Sequence, residues 1–357
     1  MARRRFRSDF REYCAVPGRL EVPNHWARSM IDDPSVTPKI RAAALAAAGL
    51  TVGQLNQPLG FIPRNAEAML IDALTARIGD PMFPAIAGLR GKKQRGGILV
   101  YLLRQSTTLR EAFATLERYT TVIRPGFAIR YVEDDGRASL AAQGEYFDPT
   151  GNLTAWTLGF LIGLIREISG REDLPLEIQV TRAARGSIAV WTEFFGVPVR
   201  DGRGADTLIF SRDHASAEVP DGDHELKLLL TGIAETMRSA AEIRDSGTVG
   251  EVQRALAQAM PQGRFALSDV ARQMHLTERS LQRKLDEEET SFQHLVRDRR
   301  QELAYEYLGD LSLRLSEIAQ MLGYVDQTTF TRAFKSMSGM TPTQFRRAVS
   351  RGAANED

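Results

Sequence analysis

Sulfur chemistry is almost missing from this chain: Cys14 is the single cysteine among 357 residues. That count excludes an internal disulfide, leaves any thiolate metal site short of ligands, and is consistent with the cytosol. Histidine is sparse as well. His25, His214, His224, His275 and His294 stand far apart, and none meets a second His or Cys at ligand spacing. No apolar run approaches the roughly 20 residues of a membrane span. The basic opening MARRRFRSDFREY lacks the apolar stretch of a secretory signal and is expected to be a flexible arm. Phosphate-loop and nucleophile-elbow patterns are also wanting. GLRGKKQRGG, from Gly88, contains no Gly-x-x-x-x-Gly-Lys-Ser/Thr, and Gly-x-Ser-x-Gly does not occur. No catalytic residue, cofactor or metal is therefore expected. What is left is an ordinary globular composition, 43% hydrophobic and 25% charged, on a length that suits two or three domains.

What the chain does have is one short pattern written twice near its C-terminus. LSDVARQMHLTERSLQRKL runs from Leu267 to Leu285, and LSEIAQMLGYVDQTTFTRAF from Leu315 to Phe334. Asp269-Val270-Ala271 answers to Glu317-Ile318-Ala319, and Leu281 to Leu285 answers to Phe330 to Phe334, at an offset of about 48 to 49 residues. Each copy reads as a helix-turn-helix. In the first, Val270, Ala271 and Met274 form an apolar side, Ser268 is the expected N-cap, His275-Leu276 makes the turn and Thr277 caps the next helix. Leu281 and Leu285 point inward there, which puts Arg279, Gln282, Arg283 and Asp286 outside. In the second, Ser316 is the expected cap and Gly323 takes the left-handed turn. Phe330 and Phe334 go in, leaving Gln327, Thr328, Thr331, Arg332 and Lys335 out. Arg reads guanine O6 and N7, and Gln reads adenine N6 and N7.

Between the copies, FQHLVRDRRQELAYEYL from Phe292 to Leu308 carries Val296, Leu303 and Tyr307 at helical spacing. It predicts one helix of about 15 residues, or roughly 22 Å. Such a strut suits two reading heads about 34 Å apart, one turn of B-DNA. Charge does not help: from Arg264 to Val349, 13 Lys plus Arg meet 12 Asp plus Glu. The global test for a basic nucleic-acid binder fails, and only local placement favours DNA. The acidic run Asp286-Glu287-Glu288-Glu289 would repel phosphate unless it faces away.

The earlier part of the chain mixes helices and short strands, so an α/β or α+β domain is expected to precede the all-α one. Helices are predicted in KIRAAALAAAGL, in RNAEAMLIDALTARIG, from Thr107 to Ile123, from Leu153 to Ile168 and around Val190 to Phe195. GILVYLLRQS, from Gly97, reads as a buried strand. FAIRYVED and RASLAAQ read as a hairpin through Asp135-Gly136, with further strands at LEIQVTR and Thr207 to Phe210. The polar stretch Ser211 to Asp223 marks a boundary, and His224 to Ala241 reads as a connecting helix. The expected division is an arm at 1–30, a regulatory domain at 31–215, a linker with its helix at 216–248, a DNA-binding domain at 249–351 and a tail at 352–357.

The C-terminal arrangement resembles the AraC/XylS family of bacterial transcription regulators. Gly323, Asp326, Phe330, Arg332, Phe334, Gly339, Pro342 and Arg346 carry the match within LGYVDQTTFTRAFKSMSGMTPTQFRR. GDPMFPAIAGL, STTLREAFATLERYTTVI and FFGVPVRDGRGADTLIFS resemble the N-terminal, arabinose-binding-like domain of one subgroup, without the strand-rich barrel of the sugar-binding cupins. The resemblance implies a cytoplasmic, nucleoid-associated regulator, usually an activator. Its partners would be a double-stranded DNA operator, a small-molecule effector, RNA polymerase where it activates, and a second copy in a homodimer. It assigns base contacts to Arg279, Gln282, Arg283, Gln327, Thr328, Thr331 and Arg332, with Lys335 beside them. Tyr119, Arg124, Arg130, Trp156 and Phe160 are candidates for the effector pocket, although aromatic residues at helical spacing are ordinarily core. The rival is a DNA-repair methyltransferase-like enzyme fused to a helix-turn-helix. It needs a cysteine cluster for zinc and an acceptor thiol, which Cys14 alone does not supply.

Overall fold

The computed structural model describes residues 21–91, 97–134, 136–143, 148, 150–181, 188–201, 205–220, 222–260, 265–288, 290–310, 312–338 and 341–353. They fall into two compact units, Met1–Arg238 and Ser239–Asp357.

The first unit opens with β1 (Glu21–Pro23), which pairs antiparallel with β2 (Phe61–Pro63). Between them come α1 (Asn24–Ile31), α2 (Pro38–Ala48) and α3 (Val52–Asn56). The sequence explains α2 at both ends: Thr37 accepts from the Ile40 N–H, Pro38 follows, and Gly49 stops it at φ 67°. Of the expected arm, residues 1–20 lie outside the described residues. Residues 21–30 build β1 and most of α1, and bury Val22, Trp26 and Met30.

Next come α4 (Arg64–Ile78), α5 (Phe83–Gly91), α6 (Gly97–Arg104) and α7 (Leu109–Ile123). Here one expectation fails, because the segment from Gly97 is a helix and not a strand. Leu99, Val100, Leu102 and Leu103 are buried while Tyr101 is exposed, a helical rhythm. A short apolar run does not separate a buried strand from a buried helix by periodicity. In α7, Thr108 caps the N-terminus, and Leu109, Phe113, Leu116 and Tyr119 face the core as expected.

The chain then makes β3 (Ala128–Glu133), β4 (Arg137–Gln143), α8 (Asn152–Ser169), β5 (Glu177–Val180), α9 (Ile188–Phe195), β6 (Val199–Asp201) and β7 (Thr207–Ser211). The expected hairpin is present, with Gly136 at φ 94° in its turn. The sheet runs β3-β4-β7-β5-β6, with β5 and β6 parallel and the other neighbours antiparallel. β1, β2 and β6 are three residues each, too short for alternation to be read from sequence. After α10 (Arg212–Ala215), the helix α11 (His224–Ser246) carries the chain out of the first unit, whose limit at Arg238 falls inside it.

Helix α8 is placed by two devices. The Asp148 carboxylate accepts from the Leu153 and Thr154 N–H groups (3.1 and 2.7 Å), which fixes where the helix starts. Glycines then let α5 and α8 touch backbone to backbone. A Cβ on Gly88 would stand 2.1 Å from the Trp156 carbonyl oxygen, and one on Gly159 would stand 2.3 Å from that of Ala85. Gly88, which in the sequence suggested a phosphate loop only to be rejected, is a packing residue.

The second unit is helical: α12 (Thr248–Ala259), α13 (Leu267–Gln273), α14 (Glu278–Glu287), α15 (Phe292–Gly309), α16 (Leu315–Met321), α17 (Gln327–Ser338) and α18 (Pro342–Ala353). Its core gathers the fully buried Val270, Leu281, Leu285, Ile318, Phe330 and Phe334, the residues that the two sequence copies aligned. Helix α18 closes it, with Phe345 edge-on to Phe334 at 5.7 Å.

Candidate nucleic-acid interface and buried recess

Each copy of the repeat is a short helix, a left-handed turn and a longer helix. In the first, α13 ends at Gln273 with Met274 as its C-cap, His275 turns at φ 55°, and Thr277 caps α14 by accepting from the Ser280 N–H. In the second, α16 ends at Met321 with Leu322 as its C-cap, Gly323 turns at φ 70°, and the Asp326 carboxylate accepts from the Thr329 N–H at 2.6 Å. That bond holds the Asp326 carboxyl below the usual carboxylate range. Two expected caps are displaced. α13 is capped at Ala266 and α16 at Arg314, so Ser268 and Ser316 sit inside the first turns. At the second, Glu317 instead reaches back to the Arg314 N–H, at 2.7 Å.

A difference between the copies has a steric cause. Left-handed backbone is costly for any residue but glycine. The exposed His275 tolerates it in the first copy. In the second, a Cβ at position 323 would lie 1.8 Å from Cζ of Phe265, whose ring covers the turn. Arg300, from the connecting helix α15, lies over the rings of Phe265 (4.9 Å) and Tyr324 (5.1 Å) and donates to the Leu322 carbonyl at 2.9 Å. The strut thus holds the second turn through a polar side chain as well as through the buried Val296, Leu303 and Leu308. Tyr307, expected on that stripe, is half-buried.

Outward from this frame, Arg279, Gln282 and Arg283 are exposed on α14, and Gln327, Thr328, Arg332 and Lys335 on α17; Thr331 is half-buried. Arg283 lies 3.5 Å from Glu287 across one helical turn, an exposed pair that holds the guanidinium only weakly. The acidic run is partly accounted for. Glu288 turns back and accepts from the N–H groups of Thr248 (2.7 Å) and Val249 (3.1 Å), so its charge sits at the N-terminus of α12. Glu289 lies outside the described residues.

The five effector-pocket candidates separate. Arg124, Trp156 and Phe160 line one small, apolar recess in the first unit, partly open to solvent. Trp26, Leu103 and Leu116 line it too, from α1, α6 and α7. Trp156 and Phe160 stack at 5.3 Å with 13° between their planes. Arg124 is buried with its guanidinium over Trp26 (4.8 Å) and Phe127 (5.6 Å), and it pairs with the buried Glu67 of α4. Burial raises the Glu67 carboxyl pKa while Arg124 opposes that rise. Tyr119 is elsewhere: its hydroxyl donates to Glu235 of α11 at 2.5 Å, and Arg118 joins the same carboxylate at 2.8 Å. Burial and that bond push the Tyr119 phenol up to about 12, and Tyr119 with Arg238 holds Glu235 down to about 2. Arg130 is exposed on β3.

Sequence reasoning missed Trp26, Glu67, Phe265, Glu288 and Arg300. Each acts on a partner distant in sequence, and only Glu288, inside the acidic run already noted, gave any signal.

A family model described as the N-terminal arabinose-binding domain of AraC transcription regulators matches residues 41–219, and a helix-turn-helix domain model matches 270–348. The chain is similar to the ornithine utilization regulator of Pseudomonas aeruginosa, with 25% identity over 92% of this chain and 96% of that one. It is also similar to the HTH-type transcriptional regulator VirS of Mycobacterium tuberculosis, with 27% identity over 82% and 86%. The urease operon transcriptional activator of Escherichia coli shares 35% identity over 24% of this chain and 29% of its own. Among the described residues no helix is long and apolar enough to cross a membrane, and no acidic, His or Cys cluster has metal-site geometry.

Proposed function

The chain belongs to the AraC family of transcription regulators and is a DNA-binding regulator, and on that premise we propose that α14 and α17 read neighbouring major grooves of one operator while the recess of the first unit receives a small effector. The observation that carries the DNA reading is the doubled outward array. Arg279, Gln282 and Arg283 in one copy, and Gln327, Thr328, Thr331 and Arg332 in the other, stand on helices whose opposite faces are wholly buried. Arg and Gln contribute bidentate contacts to guanine and adenine edges, and Lys335 a phosphate contact.

Effector control is supported by how α7 is used on both sides. Its Leu116 and Thr120 line the recess, and its Glu111, Arg118 and Tyr119 hold Lys227 and Glu235 of α11. A ligand that shifts α7 would therefore act on the helix that leads into the second unit. Activation is favoured by the name of the urease operon relative, a transcriptional activator, and RNA polymerase would then be the partner. Dimerisation on paired operators would raise the effective concentration of the reading heads.

A gel-shift on double-stranded DNA from upstream of the gene, run across a salt series, tests the first part. Binding that is sequence-specific and weakens steeply with salt is expected; a protein that ignores DNA at low salt would refute it. For the recess, Thr157→Phe fills space in the wall. An operator-driven reporter should respond to growth medium with the wild-type protein and lose that response with the variant. An unchanged response removes the recess from the role.

A further inference from the structure

We infer that Val325 is a further specificity-determining residue of the second reading head, an apolar finger that meets the C5 methyl of a thymine beside the bases offered to Gln327 and Thr328; this rests on, and deepens, the reading of α17 as a major-groove helix. The two copies of the repeat fall out of step at this one residue. Met274, His275 and Leu276 answer to Leu322, Gly323 and Tyr324 at an offset of 48, whereas the caps Thr277 and Asp326 answer to each other at 49. The backbone keeps the same correspondence. Leu276 donates its N–H to the Ala271 carbonyl and Tyr324 donates to that of Ala319, both at 2.8 Å, and each cap then accepts from the N–H three residues on. Val325 is therefore the residue that the second turn has and the first lacks.

Its exposure is 94%, the highest of the large apolar side chains among the described residues. A lone apolar side chain on a surface is ordinary, but valine is a poor spacer. Turns are filled by Gly, Asn, Asp or Ser, and a β-branched residue brings a turn no advantage. The position is also held on both sides. The Tyr324 ring lies against Phe330 at 5.6 Å with Arg300 over it, and Asp326 is tied to the Thr329 N–H. A fixed backbone thus presents a side chain that its own chain leaves almost wholly uncovered. A helix-turn-helix docks through the N-terminal end of its second helix, and Val325 stands at that end, directly before the cap of α17. The base edges in the major groove are otherwise donors and acceptors, and the thymine methyl is the apolar group among them. Covering it takes water off both partners and strands no polar group.

The test begins with full-length protein selecting binding sequences from a random duplex library. Gel-shifts then replace each thymine of the selected site in turn by uracil, which deletes the methyl and keeps the base pair. At one position under the second head the replacement should weaken wild-type binding about fourfold, the worth of one buried methyl-sized group. Val325→Ser, which disturbs no buried contact, should bind the thymine and uracil forms of that position equally. Uracil penalties that are absent throughout overturn the assignment while leaving α17 in the groove. A penalty that persists undiminished in Val325→Ser does the same and passes the methyl contact to Thr328 or Thr331; if that variant also lowers the output of an operator-driven reporter, Val325 meets a protein instead. Should no sequence be selected at all, the reading of α17 falls together with this one.

Discussion

Arg283 and Arg332 stand at equivalent places on α14 and α17, exposed and flanked by Gln or Thr. Each replaced by Ala is expected to weaken operator binding by about 1–3 kcal/mol and to relax preference at its own base pair. Competition gel-shifts with single-base operator variants check both parts, and native specificity in both mutants would remove these residues from readout. Glu288 has a different task. Glu288→Ala should cost about 1 kcal/mol of stability by uncapping α12, read by urea unfolding of the full chain. The outward set was legible because helical period alone fixes which side chains share a face with Leu281 and Leu285 or with Phe330 and Phe334. The role of Glu288 was not, because its partners Thr248 and Val249 lie forty and thirty-nine residues away. Glu67 and Trp26 were hidden for the same reason: nothing near Arg124 in sequence announces them.

Among elements, α15 has the most at stake. Leu303 is buried in the strut, and Leu303→Asp would force a carboxylate into that packing without a partner. Operator affinity should collapse while near-ultraviolet dichroism of Trp26, Trp156 and Trp191, all in the first unit, stays native. Retention of full affinity would mean that the strut does not set the heads. The α7–α11 clasp carries a pH signature. Glu235 is depressed to about 2, so the stability that it contributes is complete above the ordinary carboxylate pKa of 4.5 and is lost as pH falls from there through about 2. Glu235→Gln should flatten the acid limb of a stability-versus-pH curve over that window; an unchanged limb would deny the clasp its charge. Elements with long, one-sided patterns, such as α7, α8 and the strut, could be read from the sequence. The segment from Gly97 could not, since eight mostly apolar residues fit either a strand or a helix until Tyr101 is seen to face out.

At the scale of the whole molecule, the compact units part within α11, at Arg238, inside the segment where a connecting helix was expected. A fragment from Ser239 onward contains the whole buried cluster around Leu281 and Phe330, and it should fold and bind the operator, though more weakly than the full chain. Circular dichroism and gel-shift on that fragment provide the check; a helical fragment without operator affinity would show that the first unit is needed for binding itself. The ring of Phe265 over Gly323 bears on how such a doubled reader can change over generations. The two turns are therefore not equally open to substitution. The first already holds a residue with a Cβ, His275, whereas the second is closed by a ring contributed from outside its own copy. Trimming Phe265 alone would relieve the clash at position 323 but not the cost of a left-handed backbone, so the second turn carries two independent vetoes on any residue but glycine.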